Sequence, residues 1–293
     1  MWTRFLTFIL NILLALIGLL PFKILRPLSK ALDFFLYNIL HYRRDVVNLN
    51  MIYALPFIEG EKFKEIEKNF YRHFSELILE IIKGFYISLE KLLPRIKIDD
   101  TSLELLNKLT KENRHVVLML GHYGNWEWPL LIIQQYTTLK PFAFYAPLSF
   151  KALDQLIKNK RERFGATMLD ANRAKEYNTL LKGQASIIAL VGDQSPTGRT
   201  RTHDTRFLSL NTHFFNGGER LAKNLDAAVL FVHFTKTGIG KYDIHLELIS
   251  ENSNQEEEGI ITEKYVRILE QEILQQPSNW IWSHKRWKGM IPY

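Results

Sequence analysis

The stretch RHVVLMLGHYGNWEWPLLII, residues 114–133, places a strand, a polar loop and a helical pattern directly one after another. VVLML is apolar along its whole length, which is typical of a short strand buried on both faces of a sheet. PLLII continues as an apolar helical pattern. Between these runs, GHYGNWEW brings a histidine, an asparagine and a glutamate to the point where the strand ends and the helix begins.

Similar short apolar runs recur along the chain, namely KPFAFYAPL, ASIIALVGDQ and AAVLFVHFT. Helical patterns such as FKALDQLIKNKRERFG and GERLAKNL lie between them. This alternation predicts a single α/β domain with a mostly parallel central sheet flanked by helices. KYDIHLELIS alternates strictly between apolar and polar residues, which predicts an edge strand after a turn at TGIGK.

The composition narrows the classes of function. The 293 residues are 46% hydrophobic and 24% charged, which is neither a disordered nor a polytopic membrane composition. The absence of cysteine excludes disulfides, a thiolate nucleophile and cysteine-ligated zinc. The net charge of +7 suits an anionic partner such as anionic lipid, an acidic carrier protein or nucleic acid, although a basic protein without such a partner has the same balance.

The N-terminus carries the almost uncharged run FLTFILNILLALIGLLPF, residues 5–22. As a helix it would extend about 27 Å, slightly less than the hydrocarbon thickness of a bilayer. It is not followed by a small-residue cleavage site, and Lys23, Arg26 and Lys30 come after it. We therefore expect an uncleaved membrane anchor at 1–24 with the rest of the chain on the cytoplasmic side. The alternative is a buried core helix.

A helical segment follows the anchor. Residues 25–44 mix apolar and basic positions at helical spacing, which fits a helix in the lipid headgroup region or one packed against the core. Next comes a long amphipathic helix whose apolar stripe includes Phe63, Phe70 and Leu77. We predict a helical membrane-proximal segment at 25–92 and an α/β core at 93–293. The aromatic and basic tail WIWSHKRWK predicts an anchor at the membrane interface.

Polar clusters follow three of the predicted strands, where the sites of α/β proteins collect. GHYGNWEW follows the first strand, YAPL the second and GDQSP the third. His122 is the natural general base, because imidazole titrates near neutral pH. We expect Asn125 to cap a helix that starts at about Trp126, which places Glu127 in the first turn, where its carboxylate would orient His122. A capped helix with an incidental histidine is the alternative.

Other site classes lack their motifs. HExxH is absent, and His203, His213 and His233 have no ligand-like spacing, so we expect no metal. GxSxG is also absent, which argues against a serine hydrolase. TGIGK lacks the ending of a phosphate-binding loop.

HYGNWE resembles the H-x4-D/E motif of membrane acyltransferases. More narrowly, nearly the whole chain resembles the late acyltransferases of lipid A biosynthesis, the lauroyl/myristoyl transferase family of Gram-negative bacteria. After the apolar N-terminus, the similar segments occur in family order: YRRDVVNLNMIYALP, NFYRHFSELILE, HYGNWEW, the Arg-x-Arg before Phe164, GDQ, FFNGGERLA and PSNWIWSHKRWK.

The resemblance implies that an acyl chain passes from acyl carrier protein, or from acyl-CoA, to a hydroxyl of a phosphorylated glycolipid. The reaction would take place at the cytoplasmic face of the inner membrane and would need no cofactor and no nucleic acid. His122 would deprotonate the acceptor hydroxyl and Glu127 would orient and charge-balance His122. Arg161 and Arg163 match the family's arginine pair, which implies that they hold an oxyanion or a lipid phosphate.

Asp193 matches the family's DQ/DH aspartate, which implies a structural or arginine-orienting role. Ser195 stands where many members have another acidic residue, so that residue's role does not carry over. Two alternatives remain open. The acceptor could be another membrane glycolipid or an amino-acid lipid, or the chain could bind lipid without turnover.

Overall fold

A computed structural model describes residues 2–196 and 201–293, with side chains from residue 5 onward. Residue 1 of the expected anchor and residues 197–200 of the expected core lie outside the described residues. The helices are α1 (Trp2–Gly18), α2 (Phe22–Phe34), α3 (Arg44–Ala54), α4 (Gly60–Gly84), α5 (Leu89–Leu92), α6 (Asp100–Lys111), α7 (Trp128–Ile132), α8 (Lys151–Glu162), α9 (Asn178–Lys182), α10 (Gly217–Leu225) and α11 (Ile260–Gln275). The strands are β1 (Ile96–Ile98), β2 (Val116–Leu120), β3 (Lys140–Tyr145), β4 (Thr167–Asp170), β5 (Ser186–Val191), β6 (Thr202–Phe207), β7 (Leu210–Phe215), β8 (Ala228–Gly238) and β9 (Lys241–Ser250).

A mostly parallel sheet of seven strands forms the centre of the protein, in the order β1-β9-β8-β2-β5-β3-β4. All neighbouring strands pair in parallel except β8 and β9. Every residue of the VVLML strand β2 is buried, because helices cover both faces of the sheet there. The predicted single α/β domain with flanking helices is therefore confirmed.

The strand β9 pairs with a second strand that its sequence pattern does not predict. It forms a hairpin with β8 through the predicted turn, but β1 pairs with its other side from Ile96↔Tyr242 to Ile98↔Ile244. The predicted edge position of KYDIHLELIS is therefore wrong. The pairing segment IKI has only three residues, too few to show a periodicity.

The helices between residues 25 and 92 share a core with the sheet. Val47 of α3 and Phe70 of α4 belong to the same buried cluster as Val117 of β2 and Phe231 of β8. The apolar stripe of α4 thus faces the domain core. The segment that we expected to be membrane-proximal is also an integral packing layer of the α/β domain.

The N-terminal helices do not form a straight span. No helix among the described residues is, by itself, both long and apolar enough to cross a bilayer. Phe5–Gly18 and Phe22–Ile39 meet the length and composition only as a pair, and the two are bent by 110° at the break between them.

Candidate active site

The carboxyl ends of three adjacent parallel strands bring the predicted polar clusters together. β5 lies between β2 and β3 in the sheet, so the segments that follow these strands lie side by side. His122 follows β2, Gln194 follows β5 and Ala146 follows β3, and all three line one cavity. The convergence predicted from the strand ends is thus present.

The loop from Gly121 to Glu127 needs its glycines. Gly124 has a φ of +60°, and a Cβ at this position would lie 3.0 Å from the Cβ of Phe234. At Gly121 an added Cβ would meet Leu269 at 2.5 Å. Both positions therefore favour glycine, one because of its backbone angle and the other because α11 approaches closely.

The C-terminal tail holds the same loop in place through backbone hydrogen bonds. The N–H of Gly124 donates to the carbonyl of Asn279 at 3.1 Å, and the N–H of Ile281 donates to the carbonyl of His122 at 3.1 Å. His122 is therefore fixed from both β2 and the tail.

The carboxylate beside His122 is that of Asp193. The distance from His122 Nδ1 to Asp193 Oδ1 is 2.6 Å, and the backbone N–H of His122 donates to Asp193 Oδ2 at 3.0 Å. Trp280 Nε1 also donates to Oδ2, at 2.6 Å. Burial by itself would raise the pKa of the fully buried Asp193, but the charge of His122 and the hydrogen bonds from His122 and Trp280 outweigh it and lower the pKa. Asp193 is therefore an ionised acceptor that holds the proton of His122 on Nδ1.

The other ring nitrogen of His122, Nε2, directs its lone pair towards the cavity. Because Nδ1–H points to Asp193, Nε2 is unprotonated in the neutral ring. Nε2 lies 3.2 Å from the side-chain amide nitrogen of Gln194, which donates to it, and the ring packs edge-on against Trp126. An acceptor hydroxyl that replaces the amide of Gln194 would find a basic nitrogen already in the correct tautomer.

Glu127 forms an ion pair with Arg161 rather than with His122. Arg161 Nε donates to Glu127 Oε2 at 2.8 Å, and Nη2 of Arg161 donates to Oε1. The expected contact between Glu127 and His122 is therefore not formed, because Asp193 occupies the Nδ1 side of the ring. Both members of the pair line the cavity, and their side chains are only 8% and 21% exposed.

Asn125 does not cap the helix after the loop. The helix α7 begins at Trp128, with Glu127 at its N-cap and no side-chain capping bond. Asn125 is instead fully buried, next to the hydroxyl of Tyr242. The prediction of a cap, and of Glu127 in the first helical turn, is wrong because the loop continues two residues further than the pattern indicated.

Arg163 points away from the cavity, in contrast to Arg161. Its Nη2 donates to the carbonyl of Gly84 at 2.7 Å and also to that of Ile87. Arg163 thus binds the C-terminal end of α4, where carbonyl groups lack helical partners. The structure does not bring it to the predicted substrate site.

The tail WIWSHKRWK is largely buried and contacts the site through the hydrogen bond from Trp280 to Asp193, so it is not the membrane-interface anchor that its composition predicted. Trp280, Trp282 and Trp287 are at most 2% exposed and pack against one another. Ser195 contacts the tail as well, because its hydroxyl donates to the carbonyl of Lys285 at 3.1 Å. The sequence showed the aromatic content, but the hydrogen bond from Trp280 to Asp193 has no signature in the sequence.

The cavity below His122 has a volume of about 380 Å³ and is mainly apolar. Its wall comes from β2, β3, β4, β5, α7 and α8, with Leu118, Ile187, Phe142 and Met168 among the lining residues. An apolar chamber that opens beside a basic nitrogen suits an extended hydrocarbon chain whose reactive end stops at His122.

The ion pair leads to a prediction. We expect Glu127→Ala to lower kcat/KM for acyl transfer about 100-fold, because Arg161 loses the carboxylate that fixes its orientation. We expect Arg161→Gln to cause a similar loss and the double variant to be no worse than the more damaged single variant. Steady-state rates of the three variants measure this coupling.

The exposed pair Arg173–Glu176, with side chains 61% and 54% exposed, supplies the control. Glu176→Ala should leave the rate unchanged, because exposed ion pairs contribute little. If the losses of kcat/KM in the two single variants added up in the double variant, Glu127 and Arg161 would not act as one unit.

Comparison with known proteins identifies the family of the chain. Residues 1–289 match the family model described as bacterial lipid A biosynthesis acyltransferase. A search of curated proteins finds no significant match. The match covers almost the whole chain, including the His122 loop, the Asp193 segment and the tail. The chain therefore belongs to the bacterial lipid A biosynthesis acyltransferases, and it is an acyltransferase.

Proposed function

We propose that the protein transfers a fatty acyl chain from an acyl carrier protein thioester to a hydroxyl of a phosphorylated lipid A precursor. One observation supports this proposal more strongly than any other. His122 presents Nε2 at an apolar cavity while Asp193 fixes its Nδ1–H at 2.6 Å. This arrangement provides a base for a hydroxyl nucleophile and space for a hydrocarbon chain.

The reaction follows from the groups at the cavity. His122 Nε2 takes the proton of the acceptor hydroxyl, whose oxygen attacks the thioester carbonyl carbon. The tetrahedral intermediate then expels the thiolate, which receives the proton from the imidazolium, and an ester has formed. Asp193 stabilises the imidazolium between these two steps, as the carboxylate of a catalytic triad does.

Arg161 is the group that we propose for the oxyanion. Its guanidinium has five N–H donors, of which two are engaged by Glu127. The remaining donors are available to the negatively charged oxygen of the intermediate. We thus assign to Glu127 the orientation of Arg161, and we assign to Asp193 the orientation of His122.

Acyl carrier protein and acyl-CoA are both anionic, and either donor is therefore attracted to a chain with a net charge of +7. The proposed chemistry uses no cofactor. The paired base argues against a protein that only binds lipid, since binding alone does not require His122 in a fixed tautomer. A different membrane glycolipid acceptor is compatible with the same base and cavity, so the acceptor must be tested directly.

Mass spectrometry of lipid A from a strain that lacks this gene tests the acceptor. We expect lipid A to lose one ester-linked acyl chain and to regain it when the wild-type gene is restored. Restoration with the His122→Ala gene should leave the chain missing. Unchanged lipid A in the deletion strain would assign the activity to another acceptor.

We also propose that the protein lies on the cytoplasmic face of the inner membrane through its N-terminal helices. Phe8, Leu16 and Leu19 are between 61% and 66% exposed, and apolar side chains around Phe34 and Phe35 extend the same kind of surface. Several large apolar side chains exposed on neighbouring helices are typical of proteins that contact lipid.

The double variant Leu16→Glu and Leu19→Glu tests this attachment without changing the core. We expect at least about a tenfold weaker partition into vesicles of phosphatidylethanolamine and phosphatidylglycerol, because two charged groups replace lipid-exposed apolar ones. Leu274→Glu on α11, where the side chain is 44% exposed, is the matched control. Equal partition of the double variant and the wild type would place the contact elsewhere.

A further inference from the structure

A second cleft lies beside the catalytic loop and is distinct from the apolar cavity. This basic groove has a volume of about 1320 Å³. Its charged lining residues are Lys23, Arg26, Arg95, Lys236, Lys241 and Glu76. Cationic groups thus dominate its lining.

The positive charge of the groove is only partly neutralised. Lys236 lies 2.7 Å from a carboxylate oxygen of Glu76 and 3.0 Å from one of Glu80. Arg95 has different partners: its Nη1 donates to the carbonyl of Gly240 at 3.3 Å, and its guanidinium stacks on Phe22 with Cζ 3.2 Å from the ring centroid. Among residues 5–196 and 201–293, no carboxylate lies within salt-bridge distance of Arg95. The positive charge of Arg95 is therefore stabilised by a carbonyl group and an aromatic ring, and not by a carboxylate.

A second cation, Lys83, is close enough to Arg95 for the two charges to interact, and no carboxylate within residues 5–196 and 201–293 forms an ion pair with it. Lys83 is 6% exposed and donates to the carbonyl of Leu20. Burial lowers the pKa of Lys83, and the charges of Arg95 and Lys91 lower it further. Two recessed cations that repel each other are costly unless an anion approaches them. The exposed Lys23 and Arg26 stand at the same groove.

The position of the groove connects it with the reaction. The loop from Gly121 to Glu127 lines both spaces, because His122 faces the apolar cavity and Tyr123 faces the basic groove. Residues of α2 also line the groove, and α2 follows directly on α1 with its exposed apolar side chains. A lipid whose chains lie along α1 would bring its headgroup to Lys23 and Arg26 and its sugar towards His122.

We propose that the basic groove binds a phosphate group of the lipid acceptor and thereby positions the acceptor hydroxyl at His122. This inference rests on the proposed function. Guanidinium and ammonium groups that converge in a cleft provide charge-assisted hydrogen bonds to phosphate oxygens. Recessed cations such as Arg95 fit a small anionic headgroup better than the convex surface of an acidic carrier protein.

The double variant Lys23→Gln and Arg26→Gln tests the proposal, because both side chains are exposed and their replacement leaves the core unchanged. Lys30→Gln, an exposed position on the same helix, is the matched control. We expect the double variant to raise KM for the phosphorylated acceptor about tenfold, with kcat and the KM for the thioester donor within about twofold of wild type. Acceptor treated with phosphatase should have a high KM with every variant.

Equilibrium binding of the glycolipid acceptor in detergent micelles tests the groove without requiring turnover. The wild type and the Lys30→Gln control should bind the phosphorylated glycolipid about tenfold more tightly than the phosphatase-treated one, and the double variant should lose this preference. A failure of acyl transfer with intact phosphate-dependent binding would remove the proposed reaction but leave the groove as a phosphate site. Three results would overturn the groove proposal: no change in the phosphate preference, a raised KM for the carrier-bound donor alone, or an equal loss of binding to phosphatidylglycerol vesicles.

Discussion

His122→Ala is expected to lower kcat for acyl transfer about 10³-fold or more while the protein stays folded. The substitution removes the only ring whose basic nitrogen faces the apolar cavity among the residues that line it. Without this base the acceptor hydroxyl must attack while it still holds its proton, and general-base assistance contributes roughly 10²–10⁴-fold to such reactions. Single-turnover transfer from an acyl carrier thioester, followed by mass spectrometry, measures the loss.

The protein contains a matched control for this substitution. His213 Nδ1 lies 2.6 Å from Asp204 Oδ1, which is the same contact as between His122 and Asp193, but on an exposed hairpin with side chains 57% and 66% exposed. His213→Ala should therefore keep the wild-type rate. A His122→Ala protein with more than about a tenth of the wild-type rate would show that another group removes the proton.

Asp193→Asn is expected to lower kcat about 10³-fold for a different reason. The carboxylate accepts the ring N–H and the backbone N–H of His122 and the indole N–H of Trp280. An asparagine amide has one acceptor oxygen, so its NH₂ group would face Nδ1 and move the ring proton to Nε2. The nitrogen that must take the acceptor's proton would then already carry one.

Asp204→Asn, at the exposed pair with His213, is the control and should leave the rate unchanged. A comparison with Glu127→Gln separates the two carboxylates further. Asp193→Asn acts on the base, so nitrogen NMR should find the proton of His122 on Nε2 in this variant alone. If Glu127→Gln moved that proton and Asp193→Asn did not, the assignment of the orienting carboxylate would be reversed.

The sequence predicted that the polar segments after β2, β3 and β5 converge, because the carboxyl ends of parallel strands meet at one edge of a sheet. Three apolar strands followed by polar segments were sufficient to predict that His122 and Asp193 lie near one another, whereas Arg161 was identified through the family resemblance. Which carboxylate contacts the imidazole depends on the path of the loop within a few ångströms. Glu127 is five residues from His122 in sequence, yet Asp193, 71 residues away, makes the contact.

The location of the aromatic tail could not be predicted from its composition. An aromatic and basic composition is typical of a membrane interface, but it is equally compatible with a buried cluster whose charged residues reach the surface. Trp280 is buried because it packs against Trp282 and Phe207 and donates to Asp193. Phe207 and Asp193 come from distant parts of the chain, so no local pattern predicts these two contacts.

The most direct test combines the purified wild-type protein, an acyl carrier thioester and a phosphorylated lipid A precursor, with mass spectrometry of both products. We expect a precursor heavier by one acyl group, an equal amount of free carrier thiol, and neither product above background with His122→Ala. Wild-type protein that releases carrier thiol but leaves the precursor unacylated would contradict the proposed acceptor. Equal acylation by His122→Ala and wild type would contradict the proposed base.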